Sequence, residues 1–334
     1  MENLARLPLS HPPRHKARRS NWLLGAIAVA AVALIPAAAV FAQATPAPFT
    51  VIETGQEFVS LQQAVDAIGN GHGTIAIAPG THRQCAVQQQ GSVAFLASEP
   101  GTAILDGVEC EGKAALVLRG REASVVGLVF RNMAVADFNG AGIRLEAGNL
   151  TVANSWFSDS QQGILTAHDA NISLIIDRST FSGLGTCEGD GGCAHSVYTG
   201  TIGRLRVTRS RFERGTGGHY LKSRALLTEV ASSSFDDSAG RSTNYMIDLP
   251  QGSVGQITNN WFVQGRDKEN YSAFIAVAAE EGDQPSAGLV IAGNDARFVP
   301  GLERNSVFVA DWSGASLVIE DNVLGQGLKL FEQR

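Results

Sequence analysis

The sequence predicts an all-β solenoid, a single-stranded parallel β-helix, on three observations. One segment ending recurs along the 334-residue chain at spacings of roughly 23 to 34 residues, the length of one solenoid repeat. Within each repeat, aliphatic and polar residues alternate with the period of a strand. No repeat contains a credible helix. The clearest endings close on Phe130, Phe157, Phe181, Phe212, Phe235 and Phe262.

The composition agrees with this architecture. The chain has 37 glycines, 7% aromatic and 17% charged residues, which is typical of a turn-rich β fold rather than a helical bundle. A formal net charge of −6 argues against nucleic acid as a partner.

The first 44 residues are predicted to direct export and not to join the fold. A basic stretch precedes an apolar run from Trp22 to Ala42, and Ala42 and Ala44 give an A-x-A pattern. This is typical of a secretory signal peptide, with a mature chain that begins near Gln43 or Thr45. The run is also long enough for an uncleaved signal anchor, in which case the membrane is a partner. Residues 45–334 are expected to form the β-helix domain, in the periplasm or outside the cell.

A single helix is predicted, over about residues 60–69, before the first coil. Ser60 and Gln63 have the spacing of a capping box, and Gly69 is suited to end the helix. An amphipathic helix at this place would cover the open end of a solenoid, which otherwise exposes strand edges.

Four cysteines predict two disulfides in an exported protein. Cys187 and Cys193 bracket a short glycine-rich loop, and Cys85 and Cys110 are about one repeat apart. The simplest pairing is Cys85 with Cys110 and Cys187 with Cys193.

A metal site made by Cys187, Cys193 and His195 is the alternative, although their spacing matches no strong ligand pattern. Glu188 and Asp190 in the same loop are a possible calcium site, but they do not make a clear ligand set and a solvated loop is the preferred interpretation. We therefore expect no cofactor and no metal.

Aligning the first strand of each coil predicts one outward polar patch. The residues expected to point inward are Val197, Thr199, Leu221, Ser223, Tyr245, Ile247 and Leu249. Those expected to point outward are Tyr198, Lys222, Arg224, Met246 and Asp248. Coils stack about 4.8 Å apart, so Tyr198, Lys222, Arg224 and Asp248 should lie together. His195 and His219 should flank them, and Arg144 and His168 should extend the patch toward the N-terminal coils.

The cations Lys222 and Arg224 share one strand face, which costs on the order of 2 kcal/mol unless an anion joins them. A uronate carboxylate is the expected anion. Neutralising it makes the sugar C5–H acidic, as β-elimination or epimerisation requires. We assign Arg224 as the carboxylate clamp, Lys222 as the base, and Tyr198 as the proton donor or as the base if Lys222 stays charged. Asp248, His195, His219, Arg144 and His168 are candidate substrate-binding residues.

The chain resembles known β-helix proteins in two ways. The stretch "SLQQAVDAI…GHGTIAIAPGTH" resembles the first coil of the pectate-lyase-like superfamily, which implies a right-handed β-helix. The stretches "AHSVYTG", "GHYLKSRA" and "YMIDLPQG" are similar to a group of exported bacterial β-helix proteins.

The pair Lys222–Ser223 is similar to a strand of the chondroitinase-B and alginate-lyase family, where it implies a lysine base. That family has an acidic calcium ligand before the pair, whereas this chain has Gly218 and His219. The resemblance therefore does not extend to calcium.

Two functions remain open at this stage. One is an exported lyase or C5-epimerase acting on acidic polysaccharide, and the other is a non-catalytic β-helix that binds glycan or protein. Hydrolysis of the polygalacturonase type would need several aspartates on this face. Asp236 and Asp237 follow the phenylalanine corner and are predicted to form a turn.

Overall fold

The structure, a computed structural model, describes residues 47–280 and 282–334, and the predicted signal segment lies outside them. Within these residues the chain forms a parallel β-solenoid of about 9 turns, which confirms the predicted fold class. The only helix in the described part is α1 (Leu61–Ile68). No helix of the described part is long and apolar enough to cross a membrane.

The strands are short, most of them three to five residues. From the N-terminus they are β1 (Phe49–Val51), β2 (Gln56–Phe58), β3 (His72–Ile77), β4 (Gly80–His82), β5 (Ala86–Gln88), β6 (Ser92–Ala97), β7 (Ala103–Asp106), β8 (Ala114–Leu118), β9 (Glu122–Val126), β10 (Val129–Arg131) and β11 (Ala141–Leu145). They continue as β12 (Asn149–Ala153), β13 (Trp156–Ser158), β14 (Gln162–Thr166), β15 (Asp169–Asp177), β16 (Thr180–Ser182), β17 (Val197–Thr199), β18 (Ile202–Thr208), β19 (Arg211–Glu213), β20 (Leu221–Ser223), β21 (Leu227–Ala231) and β22 (Ser234–Asp236). The last are β23 (Ile247–Leu249), β24 (Val254–Thr258), β25 (Trp261–Gln264), β26 (Ala273–Val277), β27 (Val290–Ala292), β28 (Asp295–Phe298), β29 (Val307–Asp311), β30 (Val318–Glu320), β31 (Val323–Leu324) and β32 (Lys329–Gln333).

Every third strand belongs to the same sheet, so three sheets run along the solenoid. Sheet A has twelve strands, from β3 to β30 in steps of three, with β1 and β2 added at its N-terminal edge. Sheets B and C have ten strands each, from β4 to β31 and from β5 to β32. Neighbouring coils pair in parallel, whereas β1 pairs antiparallel to both β2 and β3.

The helix α1 lies over the first coil, as the sequence predicts. The Ser60 hydroxyl accepts a hydrogen bond from the Gln63 N–H at 3.4 Å, and Gly69 ends the helix with a φ of 56°. Leu61 and Val65 are buried, and α1 packs against β1, β2, β3 and β5. The helix therefore covers apolar side chains at the end of the first coil.

The six repeat phenylalanines form one stacked column inside the solenoid. Successive rings are nearly parallel, with centroids 4.7–5.0 Å apart from Phe130 to Phe262. All six side chains are buried. The predicted internal phenylalanine column is therefore confirmed.

A polar column lies at the bend between sheets A and B. The backbone N–H of each rung donates to the side-chain oxygen of the rung in the next coil, at 2.9–3.3 Å. The rungs are Ser155, Ser179, Ser210, Ser233, Asn260, Asn294 and Asn322. The residue before each of the first five rungs has a left-handed φ of 46–56°. This conformation turns the chain sharply, and the column satisfies the backbone groups that the turn would otherwise leave unpaired.

Both predicted disulfides are present. Cys85 pairs with Cys110, and Cys187 pairs with Cys193, with Cα atoms 5.5 and 4.1 Å apart. The thiols of Cys187 and Cys193 are joined to each other, so they do not ligate a metal with His195.

The predicted orientation of Tyr245 and Met246 is wrong. Met246 is fully buried in the main core, and Tyr245 lies outside that core with its ring stacked on His219. The reason is that β23 begins only at Ile247, and strict alternation holds only within a regular strand. Met246 and Ile247 therefore both point inward, while Asp248 points outward as predicted.

We expect Phe212→Ala to cost about 3–5 kcal/mol of unfolding free energy, because it opens a cavity in the middle of the stacked column. Phe331→Ala is the control, since Phe331 is 40% exposed and its loss should cost less than about 0.5 kcal/mol. Urea denaturation of both variants measures the difference. Equal, small costs for the two variants would contradict the assigned core position of Phe212.

Candidate functional site

The predicted polar patch lies on the outer face of sheet C, and its register is confirmed. Tyr198 on β17 pairs with Lys222 on β20, and Lys222 pairs with Asp248 on β23. The column continues into Leu165 on one side and Ala276 on the other. Apolar side chains thus bound a short polar segment at the middle of the solenoid.

The two cations are already paired within the protein. Lys222 Nζ lies 2.5 Å from Glu280 Oε1 and 3.5 Å from Asp248 Oδ2. Arg224 Nη2 is paired with the second oxygen of Glu280. The anion expected from the sequence is a uronate carboxylate, whereas in the structure Glu280 of the chain itself lies between Lys222 and Arg224.

The sequence reasoning missed Glu280. It follows β26 in a segment that is outside the repeat register, 58 residues beyond Lys222. Two acidic residues, 280 and 281, are visible in the sequence after β26. Strand alternation cannot predict where the Glu280 side chain lies, because Glu280 is not in a strand.

Tyr198 stands at the edge of the cation pair. Arg224 Nε donates a hydrogen bond to Tyr198 Oη at 3.2 Å. Lys222 Nζ and Arg224 Cζ lie 5.9 and 5.7 Å from the centre of the phenol ring. The Tyr198 side chain therefore contacts the guanidinium of Arg224 and lies near the ammonium of Lys222.

A column of aromatic rings flanks the polar segment, three residues before each of its members. The rings of His195 and His219 are 5.0 Å apart, and those of His219 and Tyr245 are 5.6 Å apart. The His219 backbone N–H donates to His195 Nδ1 at 3.0 Å, and His219 Nε2 lies 3.4 Å from Asp248 Oδ2. His195 and His219 flank Tyr198, Lys222 and Asp248, as predicted. Both histidines are buried, and their role in substrate binding stays a prediction.

Burial sets the charge of these groups. Desolvation, with a smaller effect from the Lys222 and Arg224 cations, lowers the pKa of His195 to about 3. Desolvation and the neighbouring His195 and Lys222 also lower the pKa of His219 well below its usual range. Both imidazoles are therefore neutral at neutral pH.

Asp248 shows the opposite effect. Desolvation raises its pKa to about 6, Lys222 opposes the shift, and the nearby Glu280 carboxylate adds to it. Asp248 Oδ1 has no hydrogen-bond partner among the described residues. The Asp248 carboxylate thus makes its contacts through Oδ2, with His219 Nε2 at 3.4 Å and Lys222 Nζ at 3.5 Å.

A pocket of about 300 Å³ opens beside Tyr198, toward the N-terminal coils. Arg144, Leu165, His168 and Lys113 line it together with Tyr198. Arg144 Nε is 3.5 Å from Glu146, and His168 Nδ1 accepts the N–H of Thr201 at 3.1 Å. Arg144 and His168 therefore share a cleft with Tyr198, as predicted, and their contact with substrate stays a prediction.

Asp237 is a structural anchor rather than an ordinary turn residue. Its buried carboxylate accepts hydrogen bonds from Tyr220 Oη at 2.9 Å, Thr243 Oγ1 at 2.6 Å and Gly265 N–H at 3.0 Å. It also pairs with the buried Lys268 at 3.2 Å. This network fixes the loop between β25 and β26.

No group of three or more His, Cys, Asp or Glu side chains within residues 47–280 and 282–334 is arranged to hold a metal ion.

His195→Gln should make the protein less sensitive to acid. Below its ordinary pKa of 6.5 the unfolded His195 takes up a proton, whereas the folded imidazole stays neutral down to about pH 3. The folded state therefore loses stability as the pH falls, by about 2 kcal/mol between pH 6.5 and 5. Glutamine keeps an acceptor for the His219 N–H without taking up a proton.

Urea denaturation at several pH values measures this effect, with the exposed His72→Gln as control. Asp248 acts in the opposite direction, because its raised pKa lets the folded state hold a proton that the unfolded state lacks. This contribution is common to all the proteins compared. The same pH slope in wild type and His195→Gln would contradict the neutral, buried state of His195.

Comparison with known proteins gives a likeness of fold. No protein-family model matches the chain, and no curated protein matches it. A crystal structure of alginate lyase from Paenibacillus sp. str. FPU-7 is similar, with 15% identity and a TM-score of 0.52, over 81% of this chain and 94% of that one.

Two further structures superpose more loosely. The Streptococcus pneumoniae surface protein and adhesin PfbA has 9% identity and a TM-score of 0.41, over 82% of this chain and 94% of that one. The PL6 family alginate lyase AlyGC has 16% identity and a TM-score of 0.33, over 77% and 40%. The likeness to the Paenibacillus alginate lyase structure agrees with the parallel β-helix fold.

Proposed function

We propose that this protein is an exported β-helix enzyme that removes the C5 proton of a uronate residue in an acidic polysaccharide, as a lyase or a C5-epimerase. The two disulfides suit an oxidising compartment outside the cytoplasm. The observation that carries the proposal is the position of Tyr198. Its hydroxyl is bonded to Arg224, and its ring forms a wall of the pocket next to the cation pair.

In this proposal Lys222 and Arg224 neutralise the uronate carboxylate. Neutralisation stabilises the negative charge that develops when C5 loses its proton. The planar guanidinium of Arg224 is suited to a bidentate contact with a carboxylate.

Tyr198 is the proton-transfer group that the geometry favours, in preference to Lys222. Lys222 lies between two carboxylates, an arrangement that suits a fixed cation better than a base. Tyr198 Oη, which accepts a hydrogen bond from Arg224, takes the C5 proton, and the C5–H electron pair passes into the sugar carboxylate system. In a lyase the electron pair then forms the C4–C5 double bond as the C4–O4 bond breaks, and the leaving oxygen takes the hydroxyl proton of Tyr198. In an epimerase a proton from water reaches C5 from the opposite face, and the hydroxyl proton of Tyr198 passes to water.

The pocket lined by Arg144 and His168 gives room for the sugar next to the reacting residue. A cation and an imidazole there suit the carboxylates and hydroxyls of a uronate chain. A chain that follows the outer face of sheet C would pass from this pocket over Tyr198 to the cation pair.

The second candidate is a non-catalytic β-helix that binds glycan. The closed ion pairs favour it, because Lys222 and Arg224 are only 11% and 16% exposed and already have carboxylate partners. A binder could use the pocket beside Tyr198 alone, with the ion pairs as a structural support.

Tyr198→Phe should lower turnover by about a hundredfold or more, as expected for loss of a general acid–base group. Incubation with alginate, polygalacturonate, glucuronan and glycosaminoglycans in deuterated water measures both reactions. Elimination gives ultraviolet absorbance of the unsaturated product, and epimerisation gives deuterium at C5. Tyr271→Phe is the matched control, because Tyr271 is exposed and packs under Arg304 away from the cluster. Full activity of Tyr198→Phe would remove Tyr198 from the mechanism.

Lys222→Ala separates the enzyme from the binder. An enzyme should lose turnover by at least about a hundredfold, because the substrate carboxylate is no longer neutralised. A binder should show no C5 exchange on any polysaccharide in either form, and only weaker binding in the variant. Thermal denaturation of the variant checks that the fold is retained. Wild-type turnover by Lys222→Ala would count against the proposed site.

A further inference from the structure

The Glu280 carboxylate lies between the cation pair and the solvent. It contacts Lys222 through one oxygen and Arg224 through the other. The Glu280 side chain is 41% exposed, whereas Lys222 and Arg224 are 11% and 16% exposed. Glu280 therefore covers the two cations, and an incoming anion meets Glu280 before it meets either of them.

The backbone of Ala278, Glu280 and Gln284 is hydrogen-bonded to the preceding coil, and the Glu280 side chain is the part that can leave the cations. The N–H groups of Ala278, Glu280 and Gln284 donate to Leu249, Pro250 and Gln251 at 2.8–2.9 Å. The Gln284 side-chain amide also donates to the Arg224 carbonyl at 2.9 Å. Rotation of the exposed Glu280 side chain is therefore enough to remove its carboxylate from the cations, with these backbone hydrogen bonds kept.

The charges around Lys222 and Arg224 favour replacement of Glu280 by an incoming carboxylate over binding of an additional carboxylate. Two cations face two carboxylates, Asp248 and Glu280, and the flanking His195 and His219 are neutral. A third carboxylate entering this cluster would be left without a partner, and burial of unpaired charge is costly. If an external carboxylate replaces Glu280, the number of charges in the cluster stays the same.

We propose that Glu280 is a resident competitor for the uronate carboxylate, an inference that rests on the proposed function of the same cation pair. In the free protein it fills the carboxylate position between Lys222 and Arg224. A uronate displaces it into solvent, whereas a neutral sugar offers no group that can take its place. Glu280 therefore determines specificity by admitting anionic sugars and excluding neutral ones from the cation pair.

Glu280→Gln tests the inference with D-glucuronate as the probe, titrated calorimetrically at low salt into the full chain. The variant should bind glucuronate at least about tenfold more tightly than wild type, because the amide no longer competes for the cations. D-glucose should bind neither protein measurably. Glu229→Gln is the matched control, since it removes the carboxylate of another arginine–glutamate pair, with Arg204 on sheet A, and should leave glucuronate binding unchanged.

Thermal denaturation establishes that Glu280→Gln is folded, and Glu280→Ala repeats the titration with a side chain that cannot reach the cations. Equal glucuronate affinity in wild type and both variants would overturn the inference. An equal gain in glucose affinity would also overturn the inference, because it would show only that the substitution had made room for a sugar.

The titration requires no turnover, so the inference stands or falls separately from the proposed reaction. Tighter glucuronate binding by the variants supports it even if no polysaccharide is processed. If a polysaccharide is processed and Glu280→Gln loses turnover without a gain in glucuronate affinity, Glu280 is a catalytic group. The inference then fails while the proposed function remains.

Discussion

Backbone hydrogen bonding between parallel coils is the constraint on which the rest of this structure depends. It holds equivalent residues of successive coils about one strand spacing apart, and the phenylalanine rings, 4.7–5.0 Å apart, report that spacing directly. Any residue type that recurs at one position of the repeat therefore becomes a column along the solenoid. The phenylalanine rings stack on one another inside the solenoid. At the bends, the serine and asparagine side chains accept hydrogen bonds from backbone N–H groups.

The same spacing brings charged side chains close together at the candidate site. Tyr198, Lys222 and Asp248 are neighbours in space because they share a register position, although 24 and 26 residues separate them along the chain. A column cannot by itself balance its charges, since its members are fixed by the strand register. Glu280, which comes from outside the register, supplies a carboxylate to both Lys222 and Arg224. Burial in the same site raises the pKa of Asp248 to about 6.

The parts of the molecule that follow the repeat could be predicted, and the parts outside it could not. Period and spacing were enough for the phenylalanine column, the capping helix, both disulfides and the pairing of Lys222 with Asp248. They failed at Met246, which lies before the regular strand begins, and at Glu280, which lies in a segment with no counterpart in other coils. The Asp237–Lys268 pair was missed for the same reason, because two loop residues 31 positions apart have no shared periodicity.

The polar column at the bend also has a direction. The N–H of Ser155 is satisfied by the hydroxyl of Ser179, that of Ser179 by Ser210, and so on to Asn322. The N–H group at each bend thus lacks its hydrogen-bond acceptor until the following coil has formed, and it requires no coil beyond that one. A chain synthesised from its N-terminus would therefore fold coil by coil. The helix α1 would cover the first coil, and each new coil would complete the bend hydrogen bond of the coil before it.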